Sequence, residues 1–170
     1  TPVGLAITKT DGYGFSKREQ HDLNGQVIAS EEIDPSGHAT ARTTQTYDAA
    51  GQLTQIGTVD GSRDRFEYDD LGRVVKTTRN VGPYQLVTES GYDEAGRTKW
   101  TKAPDGTITS LKYDALGRLI ERHVDDTSGG AFAGTSVETY AYNDDGRVEK
   151  VTDAEGDKKR IEYDALGRAT

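Results

Sequence analysis

Three histidines, a few paired carboxylates and one tryptophan are the residues of this 170-residue chain whose types could do chemistry. His21, His38 and His123 lie far apart and share no metal-ligand spacing. Tyr68-Asp69-Asp70 and Asp125-Asp126 place carboxylates side by side, whereas acid–base work needs them facing each other across a cleft. Asp153-Ala-Glu155-Gly-Asp157 and Asn143-Asp-Asp145 could present oxygens to calcium. Neither has the spacing and distal Glu of an EF-hand, and the Gly-Gly-x-Gly-x-Asp form of calcium-binding β-rolls is missing. No Ser occupies a Gly-x-Ser-x-Gly elbow, and no phosphate loop or dinucleotide fingerprint occurs. Trp100 and the tyrosines could stack on sugars or bases if exposed, but aromatics that recur in register with turns read as a packed ladder. The chain is therefore read as a non-enzyme with no metal and no cofactor.

Composition narrows the classes further. Leu, Ile, Val and Phe make up 30 residues, about 18% of the chain, and the net charge is -8, which is the composition of a disordered segment. The acidic balance leaves no basic surplus to displace counterions from phosphates, so no nucleic-acid partner is expected. No apolar run is long enough for membrane insertion. Without Cys there is neither a disulfide framework nor a thiolate site. The chain opens at Thr1 without Met or a leader-like segment, the expectation being a processed protein or a piece of a longer one.

What answers the disorder warning is an internal repeat carried by the 9 Tyr and 20 Gly. Six segments share one pattern: Tyr47-Asp48-Ala-Ala-Gly51-Gln-Leu53, Tyr68-Asp69-Asp-Leu-Gly72-Arg73-Val74, Tyr92-Asp93-Glu-Ala-Gly96-Arg97-Thr98, Tyr113-Asp114-Ala-Leu-Gly117-Arg118-Leu119, Tyr142-Asn143-Asp-Asp-Gly146-Arg147-Val148 and Tyr163-Asp164-Ala-Leu-Gly167-Arg168-Ala169. A seventh, His21-Asp-Leu-Asn-Gly25-Gln-Val27, replaces only the aromatic. The Tyr-to-Tyr spacings are 21, 24, 21, 29 and 21. Asp at the first turn position accepts local backbone hydrogen bonds, and Gly at the fourth takes positive φ. A second turn series lies halfway between: Asp34-Pro-Ser-Gly37, Asp60-Gly61, Pro104-Asp-Gly106 and Asp153-Ala-Glu-Gly156.

Turns every ten or eleven residues leave strands of about six. The period between them is two: Phe66 and Tyr68, Leu111 and Tyr113, Tyr140 and Tyr142, Ile161 and Tyr163 share one face. Tyr and the apolar residue after the turn bracket each hairpin and can meet as a cross-strand pair. About fourteen strands are expected in an all-β array of antiparallel hairpins, curved or spiral because so wide an open sheet curls. Residues 1–20 form a degenerate repeat marked only by the turn Asp11-Gly12, and residues 21–170 hold about seven repeats. Asn80-Val-Gly-Pro83 adds about three residues to one repeat, and Asp125–Gly134 adds about eight that read as a long loop.

Tyr-Asp-x-x-Gly-Arg-Leu at this interval resembles the YD repeat of RHS proteins, with Tyr113–Leu119 closest to the consensus. The resemblance covers residues 21 to 170. It implies long hairpin sheets that spiral into a hollow shell, which in bacterial RHS toxins and insecticidal toxin complexes encloses a toxic polypeptide. Teneurin-like and wall-associated members place similar shells at the cell surface. For this chain the resemblance implies a non-catalytic wall segment, secreted or at the cell surface. Its partners would be neighbouring repeats of a parent chain and an encapsulated polypeptide. The alternative is an extracellular adhesion module presenting loops to glycan or protein. Nothing resembles the core with its aspartyl self-cleavage site, and the chain stops inside a repeat at Gly167-Arg-Ala-Thr170. Cut edges of such an array are expected to self-associate edge to edge.

Overall fold

The computed structural model describes residues 3–126 and 134–170, and every regular element in them is a strand. The strands are β1 (Val3–Thr10), β2 (Ser16–Asp22), β3 (Val27–Ile33), β4 (Ala39–Tyr47), β5 (Leu53–Thr58), β6 (Arg63–Tyr68), β7 (Val74–Val81), β8 (Tyr84–Tyr92), β9 (Thr98–Lys102), β10 (Ile108–Tyr113), β11 (Leu119–Asp126), β12 (Gly134–Tyr142), β13 (Val148–Thr152) and β14 (Lys158–Arg160). They hydrogen-bond in chain order, β1 to β14, as one open antiparallel sheet without a crossover. Two compact units divide it, Thr1–Val87 and Thr88–Thr170, each a run of consecutive hairpins.

One local device builds nearly every hairpin. The N–H of the glycine donates to the carbonyl three residues earlier, as Gly117 does to Asp114 at 3.0 Å. The Asp114 N–H then donates to the Arg118 carbonyl at 2.9 Å. This is a type I turn followed by a glycine bulge, and Gly117 takes φ 82°. The Asp114 carboxylate locks it, with Oδ1 accepting the N–H groups of Leu116 and Arg118, each at 2.9 Å. The expected turn centres at 49–50, 70–71, 94–95, 115–116, 144–145 and 165–166 all fall in turns.

The register places Tyr47 opposite Leu53, Tyr68 opposite Val74, Tyr92 opposite Thr98, Tyr113 opposite Leu119 and Tyr142 opposite Val148. Alternation then gives each unit a tyrosine face and an opposite face. In β6 the tyrosine-face residues Asp64, Phe66 and Tyr68 are half-buried, while Arg63, Arg65 and Glu67 are exposed. No hydrophobic side chain among the described residues is fully buried, because a single layer has nothing to cover it. Leu71, Leu116 and Leu166 stand at hairpin tips more than three-quarters exposed. Stability has to come from the ladder and from half-covered neighbours, as in other one-dimensional arrays.

The structure adds detail to three stretches. The turn read at Asp11-Gly12 closes at Gly14, whose N–H donates to the Asp11 carbonyl at 3.2 Å. Asp11 Oδ1 also holds the Tyr13 and Phe15 N–H groups, so residues 1–20 contain β1 and most of β2 around a complete turn. At Asn80–Pro83 the added residues lengthen β7 and β8, joined by a tight turn in which Gly82 takes φ 57°. Of the stretch 125–134 expected as a long loop, Asp125 and Asp126 pair as strand with Thr135 and Gly134, and residues 127–133 lie outside the described residues.

Candidate functional site

The repeat residues assemble into a ladder that runs from hairpin to hairpin. Within a hairpin, the arginine after the glycine folds back on the turn aspartate: Arg97 Nε donates to Asp93 Oδ2, and Arg118 Nε to Asp114 Oδ2, both at 2.7 Å. Arg73–Asp69 and Arg168–Asp164 repeat the pairing. Between hairpins, the same guanidinium covers the next tyrosine. Arg97 lies 4.5 Å from the Tyr113 ring centre, Arg118 4.5 Å from Tyr142 and Arg147 5.4 Å from Tyr163. A motif tyrosine's hydroxyl, whether or not an arginine covers its ring, donates to a carbonyl of the hairpin before it: Tyr68 to Leu53 at 2.7 Å, Tyr113 to Thr98 and Tyr163 to Val148 at 2.8 Å. Each rung contributes about 1 kcal/mol from the hydroxyl bond and about 0.5–1 kcal/mol from the stacked cation.

The glutamine repeats reach the same end differently. Gln26 lacks a guanidinium, and its Nε2 donates to the Gly51 carbonyl of the next turn at 2.8 Å. A Cβ on Gly72 would lie 2.8 Å from Gln52 Nε2, and one on Gly167 would lie 2.5 Å from Arg147 Nη2. Gly72 and Gly167 thus combine positive φ with the close approach of a side-chain end from the previous hairpin. Asn143 replaces aspartate and still accepts the Arg147 N–H at 2.9 Å. His21 sits in the tyrosine position opposite Val27, with Nδ1 2.9 Å from the Gly25 carbonyl.

The contacts that join one hairpin to the next left no motif in the sequence. The carbonyls that receive the tyrosine hydroxyls are backbone, and the arginine-to-tyrosine contacts span different chain separations. Thr58 and Ala103 begin turns in the place of aspartate, closing on Gly61 and Gly106. The signal that finds them is the glycine, three residues on.

Several turn carboxyls titrate low. The Arg73 guanidinium and N–H hold Asp69 below the ordinary aspartate value. The Arg118 and Arg168 N–H groups, helped by their guanidinia, lower Asp114 and Asp164. A carboxyl that is more acidic folded than unfolded contributes stability that is complete above the unfolded pKa and lost as pH falls through the folded value. Far-ultraviolet circular dichroism should therefore show a stable sheet at neutral pH and acid unfolding below the ordinary aspartate range. A spectrum unchanged to strongly acid pH would contradict the role given to these carboxylates. Burial, with the Glu138 carboxylate, raises the Tyr140 hydroxyl to about 12.

A double-mutant cycle measures one rung. Removing the side chains of Arg118 and Tyr142 singly and together should give a coupling of about 0.5–1 kcal/mol, read from urea unfolding. Additive losses would show that the stacked contact carries no energy.

The residues singled out for chemistry do not converge. His38 is exposed beside Asp34 at 3.8 Å, while His123 lies in β11 opposite Ser110 and Val137. Asp69 is engaged by Arg73, and Asp153 Oδ1 accepts the Asp157 N–H at 2.8 Å. Asp125 and Asp126 are consecutive in β11 and point to opposite faces. No cluster of three or more metal-ligating side chains occurs among the described residues. Trp100 is half-buried on the face opposite the tyrosines, across from Gly91 and Ser110.

Comparison with known proteins agrees with this geometry. The crystal structure of TcdB2-TccC3-Cdc42 superposes with a TM-score of 0.75 at 19% identity, covering 92% of this chain and 9% of that one. The Tc holotoxin pore of Photorhabdus luminescens gives 0.77 at 19% identity, covering 98% and 9%. At that identity the likeness is one of fold, and the chain spans about a tenth of the length of those proteins. No curated protein sequence matches. The RHS repeat model matches residues 21–63, 47–83 and 92–131, most of the chain, and with the hairpin ladder seen along both units the chain belongs to the RHS repeat family.

Proposed function

We propose that this chain is a length of shell wall, without catalysis of its own, whose parent protein encloses a polypeptide cargo for secretion and delivery. The observation that carries the reading is the ladder: a single-layer sheet without a buried hydrophobic side chain among the described residues, held by contacts that repeat from hairpin to hairpin. Such a sheet extends by adding repeats and separates two sides without needing a second layer. In this role the motif residues from Tyr47 to Arg168 are structural, residues 1–20 are an atypical first repeat, and 21–170 are the repeats proper. The fold shared with toxin-complex structures supports the same reading.

The test is made on the parent polypeptide. Electron microscopy should show a closed hollow particle with density inside it, and limited proteolysis should spare an internal fragment until the particle is opened. An open or rod-like array displaying its ends, with every segment cleaved at similar rates, would favour the adhesion module.

A further inference from the structure

We infer that the face of unit Thr1–Val87 opposite its tyrosines is a docking surface for an extended acidic polypeptide segment, although the chain as a whole is acidic. This goes beyond the wall reading and does not depend on it. The register sorts the strand charges by face. Arg18, Arg42, Arg63, Arg65 and Lys76 point to the opposite face, against Glu31 and Glu67. On the tyrosine face the strand charges balance, with Lys9, Lys17 and Arg79 against Glu19, Glu32 and Asp64. The unit's remaining carboxylates, from Asp11 to Asp70, stand in the turns at the sheet's edges, where most of them accept turn N–H groups. An overall charge of -8 thus conceals a face with a surplus of cations.

Several of these cations are available. Arg63 and Arg65 are exposed, and neither has an ion-pair partner among the described residues. Arg18 and Arg42 share the single carboxylate of Glu31, each at 3.6 Å, beside a cavity of about 210 Å³ lined by Ala6 and Ala29. Small side chains there leave room for an incoming group beside the guanidinia.

Spacing selects the partner. Arg63 and Arg65 are two apart on one strand, about 6.8 Å, which is also the distance between same-side residues of an extended peptide. Successive same-side glutamates could meet them in turn with the bidentate geometry that guanidinium favours. A nucleic acid is a poorer fit. It carries charge continuously along its length, and on leaving this face it would cross the acidic turn edges.

The probe is a fluorescein-labelled poly-glutamate peptide, titrated with the chain at low salt and followed by fluorescence anisotropy. Arg63→Gln/Arg65→Gln should weaken binding by about fivefold, while Lys9→Gln/Lys17→Gln, which removes equal charge from the other face, should weaken it by less than about twofold. Arg18→Gln/Arg42→Gln is a second variant on the proposed face, and circular dichroism confirms that each variant keeps its sheet. Equal weakening by both faces' variants overturns the proposal, as does tighter binding of single-stranded DNA of matched charge. An absence of peptide binding at low salt overturns it too.

Discussion

Gly91→Val should destabilise unit Thr88–Thr170 by about 1–3 kcal/mol and shift the fluorescence of Trp100 to the red. Gly91 lies directly opposite Trp100 across the β8–β9 pair, and the indole covers the bare backbone of the glycine. A Cβ at 91 would lie 2.8 Å from Trp100 Cδ1 and closer still to Nε1 and Cε2, so the ring has to move. Valine itself suits a strand, and the loss comes from the displaced indole alone. The reversal makes this testable: in a Trp100→Ala background the same valine should cost much less, or nothing. Trp100 is the only tryptophan in the chain, so its emission reports this contact without interference. A normal emission maximum in the Gly91→Val protein would mean that the indole does not need the glycine.

Much of the fold was legible because its rules are local. Turn position, strand length and facing follow from the spacing of Asp and Gly and from a period of two, and those determine which residues oppose each other. What joins one hairpin to the next was less legible. Arg97 meets Tyr113 and Arg118 meets Tyr142 only once two hairpins are in register, and the sequence does not state that register. The tyrosine hydroxyls bond to carbonyls, which every residue has. The turns at Gly61 and Gly106 were legible from their glycines, although they begin at Thr58 and Ala103, since backbone closure needs only the glycine when the aspartate is absent. Trp100, whose spacing does not recur with the turns, packs on Gly91, a residue outside the motif, which the sequence does not signal. Composition hides one feature. A net charge averages over faces and edges, and only the register separates a basic face from the acidic turns around it.

The other large effect expected is at Gly117, where valine should cost roughly 1–2 kcal/mol, confined mainly to residues 107–125. At φ 82° an L side chain is strained wherever it points, and a β-branched one most of all. Crowding is not the cause: a Cβ at 117 would lie 3.5 Å from Arg97 Nη1, an ordinary contact. The two causes can be separated. Asn tolerates the left-handed conformation better than Val, so Gly117→Asn should lose distinctly less. At Gly167, where Arg147 lies over the position, even Asn should lose more than it does at 117. Locality follows from the ladder, because each hairpin touches only its neighbours and strain at one turn opens that hairpin before the rest. Hydrogen exchange on Gly117→Val should show lost protection in β10 and β11, with β13 near its original rate. Uniform loss across the whole unit would show that the hairpins open together, and the rungs of Arg, Tyr and Asp would then couple the repeats more tightly than nearest-neighbour contacts imply.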